Sequence, residues 1–105
     1  MSSNKLPVKV VWLCGGTTAD ITPFQPMVFN MTEAQEQLRR QHVKVKMRSQ
    51  MATIFNFGKL EVSLFEGGRM LLKNVSDDEN STLQAYQQIL QILKIGFQSD
   101  LLPSR

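Results

Sequence analysis

The spacing of apolar and polar residues changes several times along the chain, and each change marks an element. Val8 to Leu13 is a short, Val-rich run that reads as a buried strand, stopped by Gly15 and Gly16. Thr17 to Asn30 contains Pro23 and Pro26 and reads as a loop. Thr32, with Gln35 three residues later, has the form of a capping box, and Glu33 sits in the positive first turn. The helix they open runs to about Gln41, with Ala34 and Leu38 facing inward. From His42 the period falls to two. Val43, Val45 and Met47 point one way and His42, Lys44, Lys46 and Arg48 the other, as in a half-buried strand.

Ala52 to Phe57 and Leu60 to Phe65 read as two further strands with Gly58 and Lys59 at the turn between them. Glu66, Gly67, Gly68 and Arg69 form a loop, and Met70 to Val75 returns as the last strand. Ser76 opens a second helix with Glu79 completing a capping box and Asp77, Asp78 and Glu79 in its first turn. Leu83, Ala85, Tyr86, Ile89, Leu90, Ile92 and Leu93 give this helix a broad apolar face, and Gly96 offers a left-handed stop. Strand, helix, a run of antiparallel strands and a final helix predict an α+β fold: an antiparallel sheet of about five strands with two helices on one face.

Composition narrows the class. At 105 residues, with 42% hydrophobic and 20% charged residues, the chain is expected to be one globular domain over 1–105. Met1 to Asn4 and Ser99 to Arg105 read as frayed ends. Cys14 is the single cysteine, so no internal disulfide forms, and a cytoplasmic, reducing location is expected. The apolar run ending at Cys14 is far too short to span a membrane. The net charge is +3, and the excess belongs to residues 1–58, which hold seven Lys or Arg against three Asp or Glu. That balance permits an acidic partner without demanding one.

Few residues offer chemistry. Cys14-Gly15-Gly16-Thr17-Thr18 could expose backbone N–H groups to an anion or present a Thr nucleophile, and its Gly-Gly-Thr is similar to the nucleophile loop of bacterial-type asparaginases. It is not a Walker loop, since no Gly-Lys-Ser/Thr follows. As a plain strand-ending turn it would leave Cys14 a small buried hydrophobe. The row His42, Lys44, Lys46 and Arg48, preceded by Arg39 and Arg40, places cations about 7 Å apart along a strand. Such a row can follow a phosphate backbone, meet an acidic protein, or simply keep an edge strand from pairing. Met51, Thr53, Phe55 and Phe57 share one face and Ala52, Ile54 and Asn56 the other. If the helices cover the Ile54 face, Phe55 and Phe57, with Phe65 nearby, form a docking surface; if they cover the other, the set is core. No residue cluster has metal-ligand spacing, and neither a cofactor nor a metal is expected. Asp77, Asp78 and Glu79 read as capping residues.

Two resemblances bear on function. The stretch 58–75, with Leu64, Phe65, Gly68 and Arg69, followed by Asp78 and Tyr86, is similar to the carboxy-terminal strands of the adenylyltransferases that activate sulfur-carrier proteins in thiamine and molybdopterin biosynthesis. The likeness spans about forty residues. It implies a detached accessory piece, because the nucleotide-binding glycine loop, arginines and zinc cysteines of that family have no counterparts here. The order of elements, with Ile54-Phe55 and the Gly58-Lys59 turn, also resembles one half of the TATA-binding protein. That likeness implies a homodimer presenting Phe55, Phe57 and the basic strand to DNA.

The expectation is therefore a small non-catalytic interaction domain. It would bind a protein partner or itself through its sheet, with Lys44, Lys46, Arg48, Phe55 and Phe57 as candidate contacts. The alternatives are a nucleic-acid-binding module using the same residues and a small enzyme or ligand-binding domain using the Cys14 to Asp20 loop.

Overall fold

The computed structural model describes residues 6–76 and 78–96. The frayed ends expected at Met1 to Asn4 and Ser99 to Arg105, and the first-turn role expected of Asp77, lie outside the described residues. Within them the chain runs β1 (Val8–Leu13), β2 (Thr18–Pro23), α1 (Met31–Arg40), β3 (Val45–Arg48), β4 (Ala52–Phe57), β5 (Leu60–Phe65), β6 (Met70–Lys73) and α2 (Glu79–Leu93). The strands form one antiparallel sheet in the order β1-β2-β6-β5-β4-β3, so the fold is α+β. It has six strands rather than five.

The additional strand is β2, in the segment that reads as a loop. Its Thr-Ala-Asp-Ile-Thr-Pro sequence alternates correctly, with Ala19 and Ile21 buried. Pro23 is harmless because it stands opposite Val8 at the strand's end, beyond the last β2–β6 pair, Ile21 with Met70. With β2 inside it, β1 becomes an edge strand, alternately half-buried and exposed rather than fully buried.

Both helices lie on the face that carries Val10, Ile21, Met70, Leu64, Phe55 and Val45, one residue from each strand in turn. Met31, Ala34 and Leu38 of α1 and Tyr86, Ile89, Leu90 and Leu93 of α2 close the core over them. Phe55 is completely buried and Phe57 packs against the core, so neither belongs to an exposed aromatic surface. The face left open is the Ile54 face.

The helix starts differ from the expected capping boxes. Asn30, not Thr32, caps α1 by accepting the Glu33 N–H at 3.1 Å. Gln35, freed from a capping role, reaches the Thr53 hydroxyl at 2.7 Å and the Ser49 carbonyl at 2.9 Å, tying α1 to β4 and its preceding turn. Asp78, not Ser76, caps α2 through the Asn80 N–H at 3.1 Å. The left-handed stop of α2 is Lys94 at φ 60°, two residues before Gly96. Gln41 closes α1 and donates to the Ile92 carbonyl at 2.7 Å, locking the two helix ends together.

Candidate functional site: the open face of the sheet

Cross-strand register assembles the open face from single residues. One row crosses all six strands: Val11, Asp20, Leu71, Ser63, Ile54 and Met47, each directly opposite the next. Its four apolar members are separated by one carboxylate and one small hydroxyl. Val11 is 40% exposed at one end and Met47 44% exposed at the other. A second row runs Leu13, Thr18, Lys73, Glu61 and Asn56. Beyond the opposite side of the central row lie Phe65 and Ala52. Among the described residues nothing covers this face.

Both carboxylates of the face are held by basic side chains, while Lys9 on β1 makes no ion pair with a described residue. Arg69 makes a two-pronged pair with Asp20, Nε to Oδ1 at 3.0 Å and Nη2 to Oδ2 at 2.9 Å, and its guanidinium lies 5.2 Å from the Phe65 ring centre. The hydrogen bond from Arg69 holds the Asp20 carboxyl below its ordinary value against the opposing effect of partial burial. Glu61 receives Lys46 at 2.8 Å and Lys73 at 3.6 Å, and the Lys46 hydrogen bond lowers its carboxyl in the same way.

Lys46 reaches Glu61 because β3 contains a bulge. Val45 pairs with Phe55 but Met47 pairs with Ile54, so one extra residue, Lys46, is inserted between them. The bulge turns Met47 onto the open face beside Lys46, instead of onto the face of Val43 and Val45. The regular basic row therefore does not form. His42 precedes the strand in a left-handed conformation at φ 60°. Lys44 and Arg48 are exposed and make no ion pair with a described residue, and Lys46 is engaged by Glu61. Of the five expected contact residues, Lys46 alone lies on the open face among its apolar residues; Lys44 and Arg48 mark the β3 edge, and Phe55 and Phe57 lie in the core.

Val11, Leu13, Ile54, Met47 and Leu71 were not expected as a surface. The available signal was the second face of the strands, where Val11 and Leu13 on β1, Ala52 and Ile54 on β4 and Leu71 on β6 are apolar although Lys9, Asn56 and Lys73 share it.

The Cys14 to Thr18 loop joins β1 to β2 through three successive residues in the left-handed region, Cys14, Gly15 and Gly16, at φ 54°, 69° and 94°. Cys14 is exposed rather than buried. The Thr17 hydroxyl donates to the Cys14 carbonyl at 2.9 Å, so its proton goes to the backbone and not to a base. A groove of about 560 Å³ lies beside the start of α1, lined by Met27, Val28, Phe29, Gln50 and Glu66, and no histidine or cysteine lines it. Among the described residues no group of three His, Cys, Asp or Glu side chains could hold a metal ion, and no helix is long and apolar enough to cross a membrane. No family model, curated protein or solved structure matches this chain.

Proposed function

We propose that the chain is a non-catalytic interaction module that binds a protein partner, or another copy of itself, through the sheet surface its helices leave open. One observation carries this reading: the unbroken row from Val11 to Met47, apolar at four of its six positions. A solvated sheet face is mostly polar, whereas a row with Val11, Leu71, Ile54 and Met47 at four of its six positions holds apolar area against water at a cost in free energy. Five strand spacings make it about 24 Å wide, the scale of a protein-sized contact. The Asp20–Arg69 and Lys46–Glu61–Lys73 groups are already paired within the face, so docking over them leaves neither carboxylate without a partner. The likeness of the 58–75 stretch to an adenylyltransferase tail accords with an accessory role. The free, exposed thiol of Cys14 accords with a cytoplasmic location.

Photo-crosslinking inside cells tests the reading. A benzophenone amino acid at Val11 or Met47 is expected to give discrete protein adducts, and the same group at Gln84 or Gln87, exposed on α2, is expected to give none. Adducts from the α2 positions alone, or from no position, would overturn it.

A further inference from the structure

We infer that β1 pairs edge to edge with β1 of a second copy of this chain, joining two sheets into one. The inference rests on reading the sheet as an interaction surface and names the partner at its edge.

The argument begins with the direction of the backbone groups. Phe24 donates its N–H to the Pro7 carbonyl at 2.9 Å, which makes 7 and 24 a hydrogen-bonded pair of the β1–β2 register. In an antiparallel ladder such pairs alternate, so Lys9, Val11 and Leu13 turn their N–H and C=O groups toward β2. Val10 and Trp12 turn theirs outward, to the edge that no described residue pairs with. Val8 also faces outward, and its N–H is taken by the Leu6 carbonyl at 2.8 Å, leaving its C=O.

The two edges of the sheet differ sharply. β3 is four residues long, carries Lys46 and Arg48, and is interrupted by the bulge, all features that discourage a further strand. β1 is six residues long, regular in register, and Val-Lys-Val-Val-Trp-Leu in sequence, with Lys9 its single charge. Lys9 is the one feature of β1 that works against pairing, and Val, Trp and Leu favour it.

The second copy suits this edge by register and by charge. With Val10 of one copy opposite Val10 of the other, Val8 faces Trp12 on the helix side, and about four backbone hydrogen bonds form across the two-fold axis. Both Val8 and Trp12 are half-buried at the rim of the core, and each would be covered by the other. On the open side Lys9 faces Val11 of the second copy, whose neighbour on β2 is Asp20. A lysine on this face can span two strands to a carboxylate, as Lys46 on β3 does to Glu61 on β5. Lys9 of each copy therefore reaches toward Asp20 of the other.

The test combines light scattering with amide-resolved hydrogen exchange on the full-length protein over a range of concentrations. A dimer is expected as concentration rises, and the Val10 and Trp12 amides, fast in the monomer, should become protected in step with it. Val10→Pro removes the outward N–H at the axis without touching the β1–β2 ladder and should hold the protein monomeric. Lys9→Glu, at an exposed position that leaves folding intact, should weaken the dimer roughly tenfold or more by setting like charges together. A monomer at every concentration would overturn the inference. So would protection of Val10 and Trp12 that is independent of concentration, because a segment of the same chain would then hold the edge. A dimer in which both amides still exchange rapidly would overturn the edge pairing and leave the open-face reading standing, since the Met47 adducts report on that face separately.

Discussion

Gly68 shows how tightly one residue can be constrained. It is buried at φ +93°, a Cβ there would lie 2.7 Å from the Met27 sulfur, and its carbonyl accepts the Tyr86 hydroxyl at 3.2 Å. Gly68→Ala is expected to cost about 2–4 kcal/mol in urea denaturation, from backbone strain and overpacking together. Gly58, also at a positive φ but with open space around it, should cost about 1 kcal/mol for the same change. Thr82 is the opposite case: its hydroxyl is buried and has no hydrogen-bond partner among the described residues. Thr82→Val keeps the shape and removes the unsatisfied group, so stability should hold or rise by up to about 1–2 kcal/mol. Thr82→Ser, which keeps the hydroxyl and loses a methyl, should fall by about 1 kcal/mol. At Asp20 the Arg69 hydrogen bond holds the carboxyl below its ordinary 3.8. The folded state thus binds that proton less readily than the unfolded chain. The contribution is complete above about pH 4 and is lost as pH falls through the lower folded value. A urea titration from pH 6 to pH 2 should show an acid limb that is shallower in Asp20→Asn.

Among the elements, the two helices were legible from their period, and β1 and the β4–β5–β6 meander from short runs of β-branched, aromatic and apolar residues bounded by glycine turns. The helix starts were not, because Ser/Thr-x-x-Glu/Gln is satisfied by sequence while the cap is chosen by where the chain enters the core. Met31 is buried and must already be helical, which moves the cap back to Asn30. Asn30→Ala should therefore cost about 1 kcal/mol, or about 4–8 °C in thermal midpoint, and Thr32→Ala close to nothing. The reverse pattern, a loss at Thr32→Ala and little at Asn30→Ala, would mean that Thr32 is the true cap. β2 was hidden by Asp20 and Pro23, each unusual in a strand and each explained only by its neighbours: Arg69, just before the adjoining β6, and the end of the ladder at Pro23. The bulge in β3 could not be read at all, because Val-Lys-Met-Arg alternates equally well with or without an inserted residue. Its consequence, Met47 on the open face, is half of what makes that face apolar at the β3 side.

At the scale of the whole molecule, the deciding question was which face of the sheet the helices cover, and the apolar pattern of Ala52 to Phe57 supports either answer. The helices take the face with the larger side chains, Phe55 and Phe57, because a fully buried phenylalanine gains about 2–3 kcal/mol over an exposed one. That choice sends both phenylalanines inside and leaves Phe65, Leu71, Ile54 and Met47 among charged residues on the other face, which bears directly on nucleic-acid binding. Phe55 and Phe57, the expected minor-groove wedges, are then packed into the core. Of the basic residues near β3, Arg39 and Arg40 are held by Glu36, and Lys46 by Glu61, leaving Lys44 and Arg48 to meet phosphate. Two phosphate contacts give a slope of about −2 in log affinity against log salt. Fluorescence anisotropy with a generic duplex should accordingly show weak binding at low salt that fades gently, not the steep loss of a basic surface engaging six or more phosphates. Charge reversal of Lys44 should remove about half of that slope, and adding the reversal of Lys46 should change it little further, because Lys46 is already committed to Glu61. A steep slope, abolished by that double change, would mean that Glu61 releases Lys46 to the duplex and that the ion pairs of the open face are a resting arrangement opened by nucleic acid.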